Sequence, residues 1–281
     1  MDDYAIFEPL AKMVANKKSK RLAIPRRVGC FREYEAVLSR AKDISRAISP
    51  TIYKKLTDLE KENRIKVNKN CNTDLEEMEI DFIIGEENPD TERIAELQKI
   101  IAKKQNTPAD THYSWLTDTL YLRADSTDDD ILAIIHEVAH GATPGSGKVL
   151  TEVVPIIAEF VADRYVGADI TERRINDMKM SANFVCDFFD EPTAANRMEA
   201  RYFFGPAAAL TLEPHIETSE DLEKIIHIAN DTKHTDTEKL KKMGVTGDKM
   251  ISAYYMSAVS SVLAKQFSPV SQETHTEKIP T

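Results

Sequence analysis

The stretch Asp129–Ala142, DDILAIIHEVAHGA, decides how the chain is read. Ile131, Leu132, Ile134 and Ile135 recur at the spacing of a helix with one buried face. Asp125, Ser126, Thr127 and Asp128 supply N-cap candidates and first-turn acids, and Gly141 reads as the stop signal. His136 and His140 stand four apart, so on a helix their imidazoles share a face one turn apart. That spacing lets both grip one metal ion, with Glu137 beside them as a general base for a metal-activated water.

Such a site needs a third protein ligand and an open position. Downstream, LTEVVPIIAEFVADRYVG (Leu150–Gly167) reads as a second helix stopped by Gly167. Glu159, 19 positions after His140, is the expected third ligand. Asp163, one turn further on, is expected to hydrogen-bond a ligand histidine from behind. Glu152 is assigned the same supporting role, and Asp169, beyond the helix end, is a weaker rival for the metal.

The arrangement His136-Glu137-x-x-His140 … Glu159-x-x-x-Asp163 resembles the gluzincin metallopeptidases. That resemblance implies an α+β, mostly α, zincin-like fold: a small sheet with an active-site helix, and a helical lower lobe closing a cleft. It also implies zinc as cofactor and peptide-bond hydrolysis as activity. Two segments are similar to the thimet oligopeptidase family: EVVPIIAE (Glu152–Glu159) and AYYMSAVSSVLAKQF (Ala253–Phe267). The second implies Tyr254 and Tyr255 over the substrate, as candidate oxyanion donors. Met250, Val245 and Ser257 stand where that family carries further tyrosine and histidine. This departure keeps open a non-catalytic zincin-fold binding protein, and the small size and polar tail also permit a delivered effector cleaving one host protein.

Outward from this centre, residues 1–62 read as a helical segment, with Ser49-Pro50 as a helix start. RIKVNKN (Arg64–Asn70) and EMEIDFIIG (Glu77–Gly85) read as strands. TERIAELQKIIAKKQ (Thr91–Gln105) follows as a helix broken over Asn106–Asp110. Leu116–Ala124 reads as a further strand able to hold an extended substrate by its main chain. Residues 63–170 thus form the expected catalytic core. Helices dominate Glu172–Leu212, Ser219–Asn230 and Asp248–Phe267, making 171–267 the helical lobe, and 268–281 reads as a polar tail.

Composition sets the outer limits. The chain has 281 residues, 42% hydrophobic and 30% charged, as a globular chain does. No apolar run reaches the roughly 18–20 residues a membrane span needs, and no secretory leader pattern opens the chain, so a cytoplasmic location is expected. Cys30, Cys71 and Cys186 are too few and too scattered for a disulfide framework. Lys and Arg number 37 against 47 Asp and Glu, a net charge of −10, yet residues 1–70 carry +8. Acids interleave with those bases and no nucleic-acid motif accompanies them, so the expected partner is a peptide or protein, not nucleic acid.

The remaining candidates read as structural. His112, His215 and His227 are isolated histidines, Arg201-Tyr202 reads as packing, and Cys186 as a core thiol. Gly145–Lys148, GSGK, lacks the spacing of a phosphate loop.

Overall fold

In a computed structural model of the chain, the residues described are 2–15, 33–71, 73–84, 90–107, 109–124, 126–127, 129–144, 150–168, 170–190 and 194–267. Gly145–Lys148, Asp169, Cys30 and the 268–281 tail lie outside them. The fold is mostly helical with one small sheet. The elements in order are α1 (Glu8–Val14), α2 (Tyr34–Ile48), α3 (Pro50–Lys61), β1 (Ile65–Asn68), α4 (Asp74–Ile84), α5 (Thr91–Lys104), β2 (His112–Ser114), β3 (Thr119–Arg123), α6 (Asp129–Ala142), α7 (Val153–Val166), α8 (Ile170–Asp190), α9 (Ala194–Leu212), α10 (Ser219–Ala229), α11 (Asp236–Met243) and α12 (Gly247–Phe267). Among the described residues, no helix is long and apolar enough to cross a membrane.

Several boundaries follow from local chemistry. The Ser49 hydroxyl accepts from Ile52 N at 3.1 Å, and Pro50 occupies the first turn, where its missing N–H costs nothing. Asp90 caps α5 through Arg93 N at 2.9 Å. Gly167 ends α7 at φ +73°, a left-handed conformation that glycine adopts without strain.

Three expectations are corrected. Glu77–Gly85 is no strand: residues through Ile84 belong to α4. Ile80, Ile83 and Ile84 invite a β reading, yet their spacing of three and four fits one helix face, and ion pairs tie the acids of α4 to α5. Lys104 reaches Glu76 at 2.6 Å and Arg93 reaches Glu79 at 2.9 Å. Trp115–Asp118 is a turn, so the expected strand begins only at Thr119, and a short strand, β2, precedes the turn. Gly141 lies inside α6, which ends one residue later. A Cβ there would stand 2.7 Å from Lys55 Cε and 2.8 Å from Tyr113 Cζ, so the glycine permits close packing instead of ending the helix.

The sheet order is β1-β3-β2, with β1 parallel and β2 antiparallel to β3. Both edges of β3 are therefore paired, which removes it as a strand that could take up an extended substrate. Leu120 and Leu122 of β3 join a continuous buried cluster that runs from Phe7 in the N-terminal segment to Met250 in α12. The segment before β1 contributes Val37, Ala41, Ile44, Ile52 and Leu56 to it, and α2 packs on both α6 and α7. Every residue from Val153 to Ala162 is buried, so α7 is the central helix, enclosed by α6, α8, α9 and α10.

Candidate metal centre

Helix α6 packs against α7, while a 3-10 turn, Leu150–Glu152, leads into α7 and lies against α9. These contacts assemble the site. His136 Nε2 and His140 Nε2 face each other at 3.1 Å. Glu152 Oε2 lies 3.4 Å from the first and 3.7 Å from the second. A triangle with edges of 3.1, 3.4 and 3.7 Å has its equidistant point about 2.0 Å from each corner. That is the length of a zinc–imidazole or zinc–carboxylate bond, about 2.0–2.2 Å. The donor set of two imidazoles and one carboxylate suits a divalent transition metal, and the residues present fit one.

Glu159, the expected third ligand, is not part of this triangle; Glu152 takes that place. Glu159 Oε1 lies 3.0 Å from His136 Nδ1, the ring nitrogen on the far side from His140, and off the ideal N–H line. Its other oxygen accepts from Nε and Nη2 of Arg174, the Nε contact being 2.9 Å. The physical reason is position along the helix axis, since residues seven apart share a helix face. Glu152 sits before the first turn of α7, where the chain still lies beside the histidines, whereas Glu159 is two turns along a fully enclosed helix. Asp163 is also displaced from its expected role. Its carboxylate accepts from Ala168 N at 2.6 Å and Ile170 N at 3.1 Å, joining the end of α7 to the start of α8.

Glu137 projects toward the sheet, where Tyr113 N donates to its Oε2 at 2.9 Å. Leu120 N bonds Arg64 O on the β1 side, so Tyr113, opposite Leu120, turns its N–H to the free edge of β2. The Tyr113 phenol donates to Asp118, which also accepts from Lys55 and Arg64. This network anchors the strand that holds Glu137.

Three carboxylates crowd the two imidazoles, and their charges govern the site. Burial disfavours a charged His136, yet Glu159, Glu152 and Glu137 outweigh it and push its pKa up to about 10. Burial and the His136 charge push His140 down to about 4. Burial works against ionised Glu152 and Glu159, but His136, with His140 and Arg201 around Glu152 and with Arg174 against Glu159, holds each at about 2. Burial raises Glu137 above the usual carboxylate range. The carboxylates thus favour the protonated form of His136.

Tyr254 and Tyr255 are not among the donors of the triangle. Helix α12 packs on α8, α9 and α1; Tyr254 lies half-buried against the core, and the exposed Tyr255 hydroxyl donates to Met13 Sδ at 3.1 Å. His215 and His227 are exposed, and His112 stacks on Tyr121 on the sheet face opposite Leu120. Arg201, read from sequence as packing, instead comes within 3.7 Å of Glu152. Arg174 carried no sequence signal of its own. A glutamate in an otherwise apolar helix does demand a buried cation, but nothing in the order of residues says which one. Compared with protein-family models, curated proteins and solved structures, the chain has no significant match.

Proposed function

We propose that this protein is a zinc-dependent peptidase of gluzincin type, with His136, His140 and Glu152 as metal ligands and Glu137 as general base. The triangle of donor atoms, with its centre at bonding distance from all three, carries this reading. Zinc held there would supply Lewis acidity, lowering the pKa of a water and polarising the scissile carbonyl. Glu137 takes the proton from the attacking water and passes it to the leaving amine. The Tyr113 N–H holds one of its oxygens in place, and burial keeps its basicity high. Glu159 and Arg174 hold the His136 ring so that Nε2 faces His140.

The test uses the full chain loaded with zinc against a library of unstructured peptides. Cleavage is expected in the wild type, abolished by chelation and restored by zinc. Glu137→Gln is expected to keep its zinc and lose turnover. A second reading, a metal-binding protein without turnover, is favoured by the Tyr255 hydroxyl, which is engaged by Met13. Zinc bound at one per chain with no peptide cleaved would select it.

A further inference from the structure

Glu152 is gripped from α9 in two ways. Gly205 faces it so closely that an added Cβ would lie 2.5 Å from Glu152 Cβ and 3.2 Å from its carbonyl carbon. One turn earlier on the same face stands Arg201. Its Nε is buried without a hydrogen-bond partner and lies 3.7 Å from Glu152 Oε1. Its Nη2 donates to Tyr202 Oη at 2.6 Å, and the guanidinium lies 4.7 Å from the Tyr202 ring centroid, so the head group is stacked and oriented. The two oxygens of Glu152 therefore face different partners: Oε2 faces the histidines and Oε1 faces the arginine.

We infer that Arg201 is a positioning residue that reserves Oε1 of Glu152, so that this carboxylate offers a metal one oxygen only. The inference rests on the reading of His136, His140 and Glu152 as ligands. A carboxylate with both oxygens free closes on a metal through both and occupies a position that water needs. An arginine holding one oxygen keeps that position open, and Tyr202 keeps the arginine from turning away.

Cobalt(II) is the probe, because its visible absorption weakens as its coordination number rises. Full-length wild type is compared with Arg201→Met and Arg201→Lys, with circular dichroism as the check on folding. Wild type is expected to bind one cobalt per chain with a strong band. Arg201→Met is expected to bind cobalt with a weakened band, because both oxygens of Glu152 are then free to reach the metal. Arg201→Lys keeps a positive charge but loses the planar head group that Tyr202 stacks and orients, so its band is expected to stay weakened. An unchanged band in both variants overturns the role of Arg201 while leaving the metal site standing. Should Arg201→Met not fold, Arg201→Lys decides alone, and an unaltered band overturns the inference. Wild type that binds no cobalt overturns the donor triangle itself, and the role of Arg201 with it.

Discussion

Glu159 Oε1 stands 3.0 Å from His136 Nδ1, the nitrogen opposite the one that faces His140. The two glutamates at the start and middle of α7 thus divide the work on one imidazole: Glu152 lies at its Nε2 and Glu159 at its Nδ1.

Metal stoichiometry separates those roles. Glu152→Ala is expected to abolish binding of one zinc per chain. Glu159→Ala is expected to keep the stoichiometry and weaken affinity about 10- to 100-fold. Competition against a chromophoric chelator measures both. The opposite ranking would restore Glu159 as the ligand.

Arg174 is the buried counter-charge to Glu159, with a further contact to Asp177 at 3.1 Å. Arg174→Met leaves Glu159 charged and enclosed, with a cost of about 3–5 kcal/mol. Denaturant unfolding of the metal-free protein reads it. The double variant Arg174→Met/Glu159→Gln is expected to recover much of the loss, since it removes the stranded charge as well.

Asp118 supplies a pH dependence away from the metal. Burial raises its pKa, but hydrogen bonds from Lys55, Tyr113 and Arg64 outweigh that and hold it below the ordinary carboxylate range. A lowered folded-state pKa means stability that is present above the unfolded value, about 3.9, and lost as pH falls through the folded one. Asp118→Asn should therefore unfold with a shallower pH dependence below about pH 4 than the wild type. Identical acid slopes would rule out this contribution.

Gly205→Ala would push a Cβ against the Cβ of Glu152, at about 1–3 kcal/mol in stability. Its zinc affinity is expected to fall with it, whereas Gly167→Ala, with nothing within 4 Å, strains only its own backbone and leaves zinc affinity unchanged.

Tyr254 and Tyr255 provide the contrast. With Tyr255 bonded to Met13 and Tyr254 set against the core, Tyr255→Phe is expected to change zinc affinity and turnover less than about twofold. A loss of a hundredfold or more in kcat would place α12 over the substrate after all.

The helical parts of the chain were legible where local chemistry sufficed. Ser49-Pro50, Gly167 and the apolar face of Asp129–Ala142 each act within one turn, and the structure follows them. The strand reading of Glu77–Gly85 fails because a short apolar run fits either element, and the packing of α4 on α5, with Lys104 at Glu76 and Arg93 at Glu79, lies outside the run. Isoleucines in series cannot reveal such partners.

By itself, the sequence determined that His136 and His140 share a helix face, because a spacing of four residues has that consequence on any α-helix. It also determined that a glutamate from Leu150–Gly167 is available to them. Which glutamate meets them was decided only in three dimensions. The packing of α6 on α7 sets the turn before α7 at the facing Nε2 atoms and the middle of α7 at Nδ1 of His136. Arg174 and Arg201, distant in the chain, then assign each carboxylate its place through charges that only tertiary contact brings within reach.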